Sequence, residues 1–266
     1  MIKLPNVRLP SVANARLQVW QSQVDAAGDY AAQVLAAKDR FTRYANSAAF
    51  DEVRRALARL CHGPRRCCYC EDSVADEIEH IKPKDLYPEL VFVWLNYLYA
   101  CGRCNGGKRH SFAIFSAAGE VVNITRPRQA LAVAPPPGLA VLIDPRGEDA
   151  LQYLQLDLRA TFKFVPLAAQ GSREFQRAEY TINVLKLNDR DELLRARRRA
   201  YENYRARLHE YLEQRRQGAS TTRLRRFKSG LQREGHPTVW AEMKRQQARL
   251  PELKQLFAAV PEALGW

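Results

Sequence analysis

The feature that most constrains the fold of this chain is a pair of Cys-x-x-Cys motifs, Cys67/Cys70 and Cys101/Cys104. Each motif suits a tight turn that points two thiolates at one metal ion, and two such turns supply the four sulfur ligands of a structural zinc site. All six cysteines fall between Cys61 and Cys104, which does not suit a disulfide framework spread over a secreted protein. The sequence therefore predicts a zinc-stabilised core in a reducing compartment.

Two cysteines, Cys61 and Cys68, are left over. Cys68 could replace Cys67 as a ligand only if the spacing to Cys70 were shortened to one residue, so Cys67 is preferred. The 30 residues between the two pairs exceed the usual spacer of a zinc ribbon, which indicates a substantial insertion.

The insertion contains the octapeptide EIEHIKPK at residues 77–84, in a chain with five histidines. Glu79 immediately precedes His80, Asn96 follows sixteen residues later, and Asn105 comes directly after the last cysteine and before GGKR. An isolated histidine in such a stretch is more often a satisfied strand residue than a reactive base. Its role therefore depends on the residues around it.

This order of residues resembles the HNH endonuclease family over about residues 66–110. The likeness consists of an acid–His pair, an Asn five residues before a Cys-x-x-Cys, and a final His or Asn three residues before a Lys. The resemblance implies an α+β fold with a ββα-metal, treble-clef-like nuclease core. In that core a β-hairpin and a helix surround a catalytic metal, and the zinc site buttresses them.

The resemblance also implies a role for each residue of the motif. His80 would be the general base that takes a proton from water, and Asn96 would brace its strand and orient the imidazole through a backbone hydrogen bond. Glu79 and Asn105 would hold a divalent ion, and their oxygen ligands suit Mg²⁺ or Mn²⁺ rather than zinc.

Three cations near the motif are predicted to bind the nucleic-acid phosphate. Lys108 and Arg109 are expected on the first turn of the helix after the last cysteine, and Lys84 closes the octapeptide. Phosphodiester hydrolysis needs such positive charge to neutralise its transition state.

Two positions depart from the commonest family pattern. Asn105 stands where a histidine is usual, which makes this an H-N-N form, and Glu79 stands where Asp is more frequent. Asp76, Glu77 and His110 are further candidate ligands of the metal, so the ligand set stays open at this point.

The rest of the chain divides into two flanks of the predicted core. We expect an N-terminal helical region over residues 1–62, the nuclease core over 63–115, and a C-terminal region over 116–266. In the last region, LAVLID, LQYLQLDL and TFKFVPL predict one small antiparallel sheet, and basic helices follow it. The longest helix is expected to start at Asp189, with Glu192 completing a capping box. Its stripe of leucines and tyrosines predicts packing rather than base stacking.

Charge indicates the kind of partner. The chain has 42 Lys and Arg against 29 Asp and Glu, a net charge of +13. Residues 190–233 contain 14 Lys and Arg and 5 Asp and Glu, so 14 − 5 = +9 of the excess positive charge lies in this stretch. Such an excess favours nucleic acid, DNA rather than RNA, although a charge run can also be a solvated helix face.

The same sequence predicts a cytoplasmic protein without a membrane segment. Its start, MIKLPNVRLP, lacks the apolar core of a secretory signal, and the apolar run LVFVWLNYLYAC is interrupted by Asn96.

The flanks extend the resemblance. LIDPRGEDALQYLQLDL and the helical segments after it resemble the flanks of HNH proteins from bacterial anti-phage systems, the retron-associated and Septu-type nucleases. These are typically encoded beside an ABC/SMC-like ATPase, so the resemblance implies a defence role and such a partner.

Two other interpretations are open. The chain could be an inactive, zinc-stabilised nucleic-acid-binding protein, although binding alone would not require Glu79, His80, Asn96 and Asn105 together. It could also be a stand-alone restriction or homing-type nuclease, but no helix-turn-helix or finger array that reads bases is evident.

Overall fold

The N-terminal region folds into helices α1 (Ser11–Asp25), α2 (Tyr30–Tyr44) and α3 (Ala48–Leu60). Asp29 caps α2, because its carboxylate accepts a hydrogen bond of 2.9 Å from the amide of Ala32. The computed structural model describes residues 1–127 and 129–266. Within them the helical character predicted for residues 11–61 is present, in three helices.

Aromatic side chains join these helices into one wall. Trp20 of α1 stacks on Tyr44 at 4.3 Å between ring centroids and on Phe50 at 5.8 Å. Phe41 meets Phe50 edge-on at 5.5 Å, and Phe92, from the segment after the octapeptide, packs against Trp20 at 5.6 Å. Such aromatic pairs stabilise the folded state beyond the contribution of apolar burial. The helices thereby form a fixed support for the strands that follow.

A β-hairpin and a short helix lie against this wall. Strand β1 (Glu77–His80) pairs antiparallel with β2 (Tyr97–Ala100), in a register that sets His80 opposite Tyr97. Helix α4 (Gly102–Lys108) follows β2 directly, and β2 packs on α3. The chain is therefore a mixed α+β protein with a small hairpin at its centre.

Two further small sheets follow. Strands β3 (Ala113–Phe115), β4 (Val121–Asn123) and β5 (Leu139–Ala140) form a sheet in the order β4-β3-β5, and β6 (Leu154–Leu156) pairs with β7 (Phe164–Pro166). The prediction of one sheet from the three apolar runs was wrong, since LAVLID joins β3 instead.

Gly138 explains that pairing. A Cβ at this position would lie 2.4 Å from the carbonyl oxygen of Phe115, so only glycine lets the chain come so close to β3. Beyond β5 the run is buried, and the amide of Ile143 donates to the hydroxyl of Thr181 at 3.0 Å.

The C-terminal region is helical, with α5 (Arg173–Val184), α6 (Asp191–Arg216), α7 (Thr221–Gln232), α8 (Pro237–Gln246) and α9 (Pro251–Ala259). The predicted start of α6 at Asp189 was wrong: Arg190 is the N-cap, and no side chain caps the helix. Acidic residues in the first turn, Asp191 and Glu192, instead complement the helix dipole. Helix α7, which the sequence did not predict, begins where Ser220 accepts a hydrogen bond from the amide of Arg223.

The tyrosines of α6 are core residues. Tyr204 stacks on Trp240 of α8 at 5.2 Å, and Tyr201 packs on Phe162 at 5.8 Å. Both tyrosines are buried, which leaves no ring face for a base. Across the two described stretches, we found no helix whose length and apolar character would let it cross a lipid bilayer.

Candidate active site and metal centre

The four cysteines predicted as ligands lie together. Cys67 and Cys70 stand on a turn closed by the bridge between Arg66 and Val74, and Cys101 and Cys104 stand at the start of α4. Their sulfur atoms all lie within 4.8 Å of one another, and each residue is at most 3% exposed. The hairpin brings the two pairs together because β2 leads straight into α4.

The geometry of the cluster fits zinc. Four sulfurs about 2.3 Å from a tetrahedral centre are about 3.8 Å apart. The Sγ atoms of Cys70 and Cys101 are 3.8 Å apart. Cysteine binds zinc as the thiolate, and all four sulfur atoms of the cluster face one another at ligand distance. The cluster therefore indicates a structural zinc site, which the chain's Cys-x-x-Cys spacing had predicted.

Residues outside the hairpin support the cluster. The guanidinium of Arg190 donates to the Cys104 sulfur at 3.4 Å, and the amide of Cys68 donates to the carbonyl of Tyr99 at 3.0 Å. The Cys68 sulfur itself faces Cys61 at 3.9 Å, away from the four-sulfur cluster. The leftover cysteines thus form a separate contact.

Beside the four-cysteine cluster is a cavity of about 460 Å³. Strand β1, the octapeptide and α4 supply its lining: Glu77, Ile78, Glu79, His80, Pro83, Lys84, Gly102, Asn105, Gly106, Arg109 and His110. The hairpin and α4 therefore bring the predicted acid, base and amide to one opening.

His80 ends β1 with its ring held on both sides. The imidazole is 6% exposed and lies between Phe41, at 4.7 Å between centroids, and Tyr97, at 5.1 Å. Its Nε2 is 3.0 Å from the carbonyl oxygen of Val91. Since a carbonyl oxygen can only accept, Nε2 carries the hydrogen and Nδ1 keeps the lone pair. The ring is thus fixed in a tautomer whose free nitrogen can accept a proton.

The surroundings also keep this ring neutral. Burial, together with the positive charge of Lys84, lowers the pKa of His80 to about 3. At physiological pH the imidazole is therefore unprotonated, and a pKa this far below the working pH makes it a weak base in the substrate-free protein.

Asn96 holds the segment that carries Val91. Its side-chain oxygen accepts from the amide of Lys82 at 2.8 Å, and its Nδ2 donates to the carbonyls of Lys82 and Leu90 at 3.0 and 3.1 Å. The side chain is 6% exposed. Asn96 thus ties the residues just after His80 to those just before Val91, without contacting the imidazole.

Glu79 and Lys108 form a buried ion pair. The ammonium of Lys108 is 2.6 Å from Oε1 of Glu79 and donates to the carbonyl of His80 at 2.9 Å. The two residues are 3% and 0% exposed. Burial raises the pKa of Glu79, and the charge of Lys108 opposes that shift. Lys108 therefore fixes β1 to α4.

The locations predicted for the two cations of GGKR, Lys108 and Arg109, were wrong. Lys108 is the last residue of α4 rather than part of its first turn, and its buried ammonium is engaged with Glu79. Arg109 follows the helix with a positive φ of 43°, and its side chain is exposed at the cavity. Lys84 lies at the cavity as well, 5.2 Å from the centre of the Phe41 ring, and burial lowers its pKa.

Asn105 contacts Glu77, one of the three further metal ligands that the sequence left open. Its Nδ2 donates to Oε2 of Glu77 at 2.6 Å, and Glu77 is exposed at the rim of the cavity. Glu77 and Glu79 are two residues apart on β1, so their side chains point to the same face of the strand. The structure places Glu77 against Asn105, and Asp76 is absent from the cavity lining, whereas His110 contributes to it.

Sequence reasoning overlooked the buried role of Lys108, although a signal was present. Asn105 and Lys108 are three residues apart on α4, and residues at this spacing share a helix face. If Asn105 faces β1, then Lys108, one helical turn later, also faces β1 and lies next to Glu79 and His80. The shared helix face of Asn105 and Lys108 could therefore have indicated the contact between Lys108 and β1.

Comparison with known proteins finds similarity over only a part of the chain. Over 57 residues it is 47% identical to the Septu protein PtuB of Bacillus thuringiensis. The matched stretch is 20% of this chain and 22% of that protein, so the chain spans about a fifth of the length of the curated relative that it matches. No known protein-family model matches the sequence.

Proposed function

We propose that this chain is a metal-dependent HNH endonuclease that hydrolyses nucleic-acid phosphodiester bonds. The observation that carries the proposal is the environment of His80. A neutral imidazole is held in one tautomer by the Val91 carbonyl, on the wall of a cavity that also contains Glu77, Glu79 and Asn105. A base, oxygen ligands and cations in one opening are what metal-assisted hydrolysis of a phosphodiester needs.

Each side chain at the cavity has a separate role in the proposed reaction. Nδ1 of His80 accepts the proton of the attacking water, while the Nε2–H bond to Val91 holds the ring in place. Asn96 positions this base indirectly, since it ties the backbone of Lys82, just after His80, to that of Leu90, just before Val91. Arg109 and Lys84, both on the cavity wall, bind the scissile phosphate.

The oxygen donors fit a hard divalent cation. Glu79 and Asn105 would hold Mg²⁺ or Mn²⁺, and Glu77 can contribute because its carboxylate already reaches the Asn105 amide. When bound, such an ion supplies a Lewis acid for the phosphate and for the leaving oxygen. Lys108 meanwhile holds the Glu79 carboxylate in place at 2.6 Å.

The hairpin, α4 and the four-cysteine cluster support the assignment to the HNH class. In a ββα-metal core the two strands and the helix surround the metal, which agrees with β1 and α4 lining this cavity and with β2 pairing with β1. The zinc site would be the rigid structural support of that core.

The likeness to a Septu protein supports a role in bacterial anti-phage defence. We propose that the chain is the nuclease of such a system and works with an ATPase encoded nearby. The large helical flanks, from α5 to α9, lack catalytic motifs of their own and would dock that partner.

One experiment tests this function directly. The chain is co-expressed with the ATPase encoded beside it, and the purified sample is incubated with labelled DNA and RNA, with Mg²⁺ or with EDTA. We expect Mg²⁺-dependent cleavage and co-elution of the two proteins. Intact substrates under every metal and nucleotide condition would refute the nuclease, and separate elution at micromolar concentration would refute the partner.

A further inference from the structure

A second groove, of about 820 Å³, continues from the catalytic cavity. The two share Lys84, Arg109 and His110 in their walls. Besides Asp85, which follows Lys84, the remaining lining comes from α2 on one side and from the segment after β4 on the other, including Leu35, Lys38, Arg126, Ala130 and Ala132. A polymer whose reacting group lies in the cavity can therefore extend along this groove.

The groove is strongly basic. Lys38, Lys84, Arg109 and Arg126 line it, and Asp85 is the one carboxylate among the lining residues that the structure describes. That carboxylate lies 3.4 Å from the ammonium of Lys38 and 3.0 Å from Nδ1 of His110. Its charge is thus already matched, and the excess positive charge favours an anionic occupant.

One face of α2 is apolar along the same groove. Ala31, Val34, Leu35 and Lys38 follow one another at the spacing of a single helix face. Leu35 is 69% exposed, which is high for a leucine beside a run of cations. Ala130 and Ala132 extend the apolar surface on the opposite wall. The groove therefore offers hydrocarbon and positive charge side by side.

The opposite wall is held to α2. The guanidinium of Arg126 donates to the Tyr30 hydroxyl at 2.6 Å and to the carbonyl of Val133 at 2.8 Å. It also lies 5.4 Å from the centre of the Tyr30 ring. Since Tyr30 is the first residue of α2, these bonds join the two walls and preform the groove.

We propose that this groove binds the single-stranded flank of the substrate, next to the phosphodiester that is cleaved. The proposal rests on the endonuclease function proposed above and specifies its substrate class. A duplex hides the faces of its bases and would bring only phosphates to the protein, so the exposed Leu35 would gain nothing from it. An unpaired strand brings phosphates to the cations and base faces to the hydrocarbon.

The test is a binding measurement that does not depend on catalysis. Full-length chain carrying His80→Ala is titrated against fluorescein-labelled oligo-dT and oligo-rU of about 20 nucleotides, longer than the usual site of a single-strand binder, and against a duplex of equal length. Lys38→Ala and Leu35→Ser test the groove. Arg43→Ala on the same helix and Val12→Ser on α1 are the matched controls, since both residues are exposed and lie outside the groove.

Lys38→Ala should weaken single-strand binding about fivefold at 0.1 M salt and reduce the salt slope by about 0.7, the value for one phosphate contact. Leu35→Ser should weaken it about threefold, which corresponds to roughly 25 Å² of lost apolar contact, and should leave duplex binding unchanged. Both controls should bind as the parent does.

Three results would overturn the proposal. Leu35→Ser could weaken duplex and single strand equally, or both groove variants could bind single strands as the parent does. Poly-glutamate could also bind as tightly as the oligonucleotides and respond to Leu35→Ser, which would assign the groove to an acidic peptide. If the parent still cleaves nucleic acid in these cases, the proposed nuclease function stands. Absence of any nucleic-acid binding or cleavage would refute both.

Discussion

Replacement of Lys108 by methionine should destabilise the protein strongly. The ammonium of Lys108 is fully buried, 2.6 Å from the Glu79 carboxylate, and also donates to the His80 carbonyl. Methionine keeps most of the side-chain volume but removes the charge, which leaves Glu79 as a buried and unmatched anion. Breaking a buried pair in this way costs about 3–5 kcal/mol in the free energy of unfolding.

The cost should depend on pH in a defined direction. Without Lys108, the pKa of Glu79 in the folded state rises further above its unfolded value. The folded variant then binds more protons than the unfolded chain, so its stability is greatest at low pH and falls as pH rises. The difference from the parent should shrink on acidification, by up to about 1.4 kcal/mol for each pH unit.

Urea unfolding followed by circular dichroism at pH 5 and pH 8, without added Mg²⁺, measures both effects. The double variant Glu79→Gln/Lys108→Met removes both charges and should recover most of the loss. Lys254→Met, at an exposed lysine of α9, should change stability by less than about 0.5 kcal/mol. If Lys108→Met lies within about 1 kcal/mol of the parent at pH 8, the role assigned to the ion pair is wrong.

Three further outcomes are expected. Purified protein should carry about one zinc per chain by elemental analysis, and Cys101→Ser should lose zinc and melt at lower temperature; a zinc-free, stable parent would contradict this. In urea unfolding, the parent should lose about 2 kcal/mol more stability between pH 7 and pH 5 than His80→Gln does. The reason is that the unfolded histidine is protonated below about pH 6.5, while the folded one stays neutral. Equal losses in parent and variant would contradict the lowered pKa of His80. Asn96→Ala should cost about 1–3 kcal/mol, since it leaves part-buried backbone groups of Lys82 and Leu90 unpaired, and should cleave at a rate between those of parent and His80→Ala; unchanged stability would contradict its bracing role.

Spacing along the chain was sufficient to predict the zinc cluster. Cys67 and Cys70 are local neighbours, so their turn geometry follows from the motif, and the second pair has the same form. The stripe of leucines and tyrosines on α6 likewise predicted which face of that helix is buried.

Contacts made across the fold could not be predicted in the same way. The burial of Lys108 depends on how α4 lies on β1, and the bond between Asn105 and Glu77 depends on the same packing. The pairing of β5 with β3 depends on how closely Gly138 approaches Phe115. Each of these contacts joins residues distant in sequence, and local propensity carries little information about them.

The central claim is that His80 is the general base, and His80→Ala tests it most directly. The variant, Asn105→Ala and the exposed-histidine control His209→Ala are each purified with the partner and assayed on plasmid and single-stranded substrates while Mg²⁺ is titrated. We expect His80→Ala to retain zinc and nucleic-acid binding but to cleave about 10² to 10⁴ times more slowly at every metal concentration. Asn105→Ala should recover partly in excess metal because it lacks a ligand rather than the base, and His209→Ala should match the parent. If His80→Ala cleaves as fast as the parent under the same conditions, His80 is not the base.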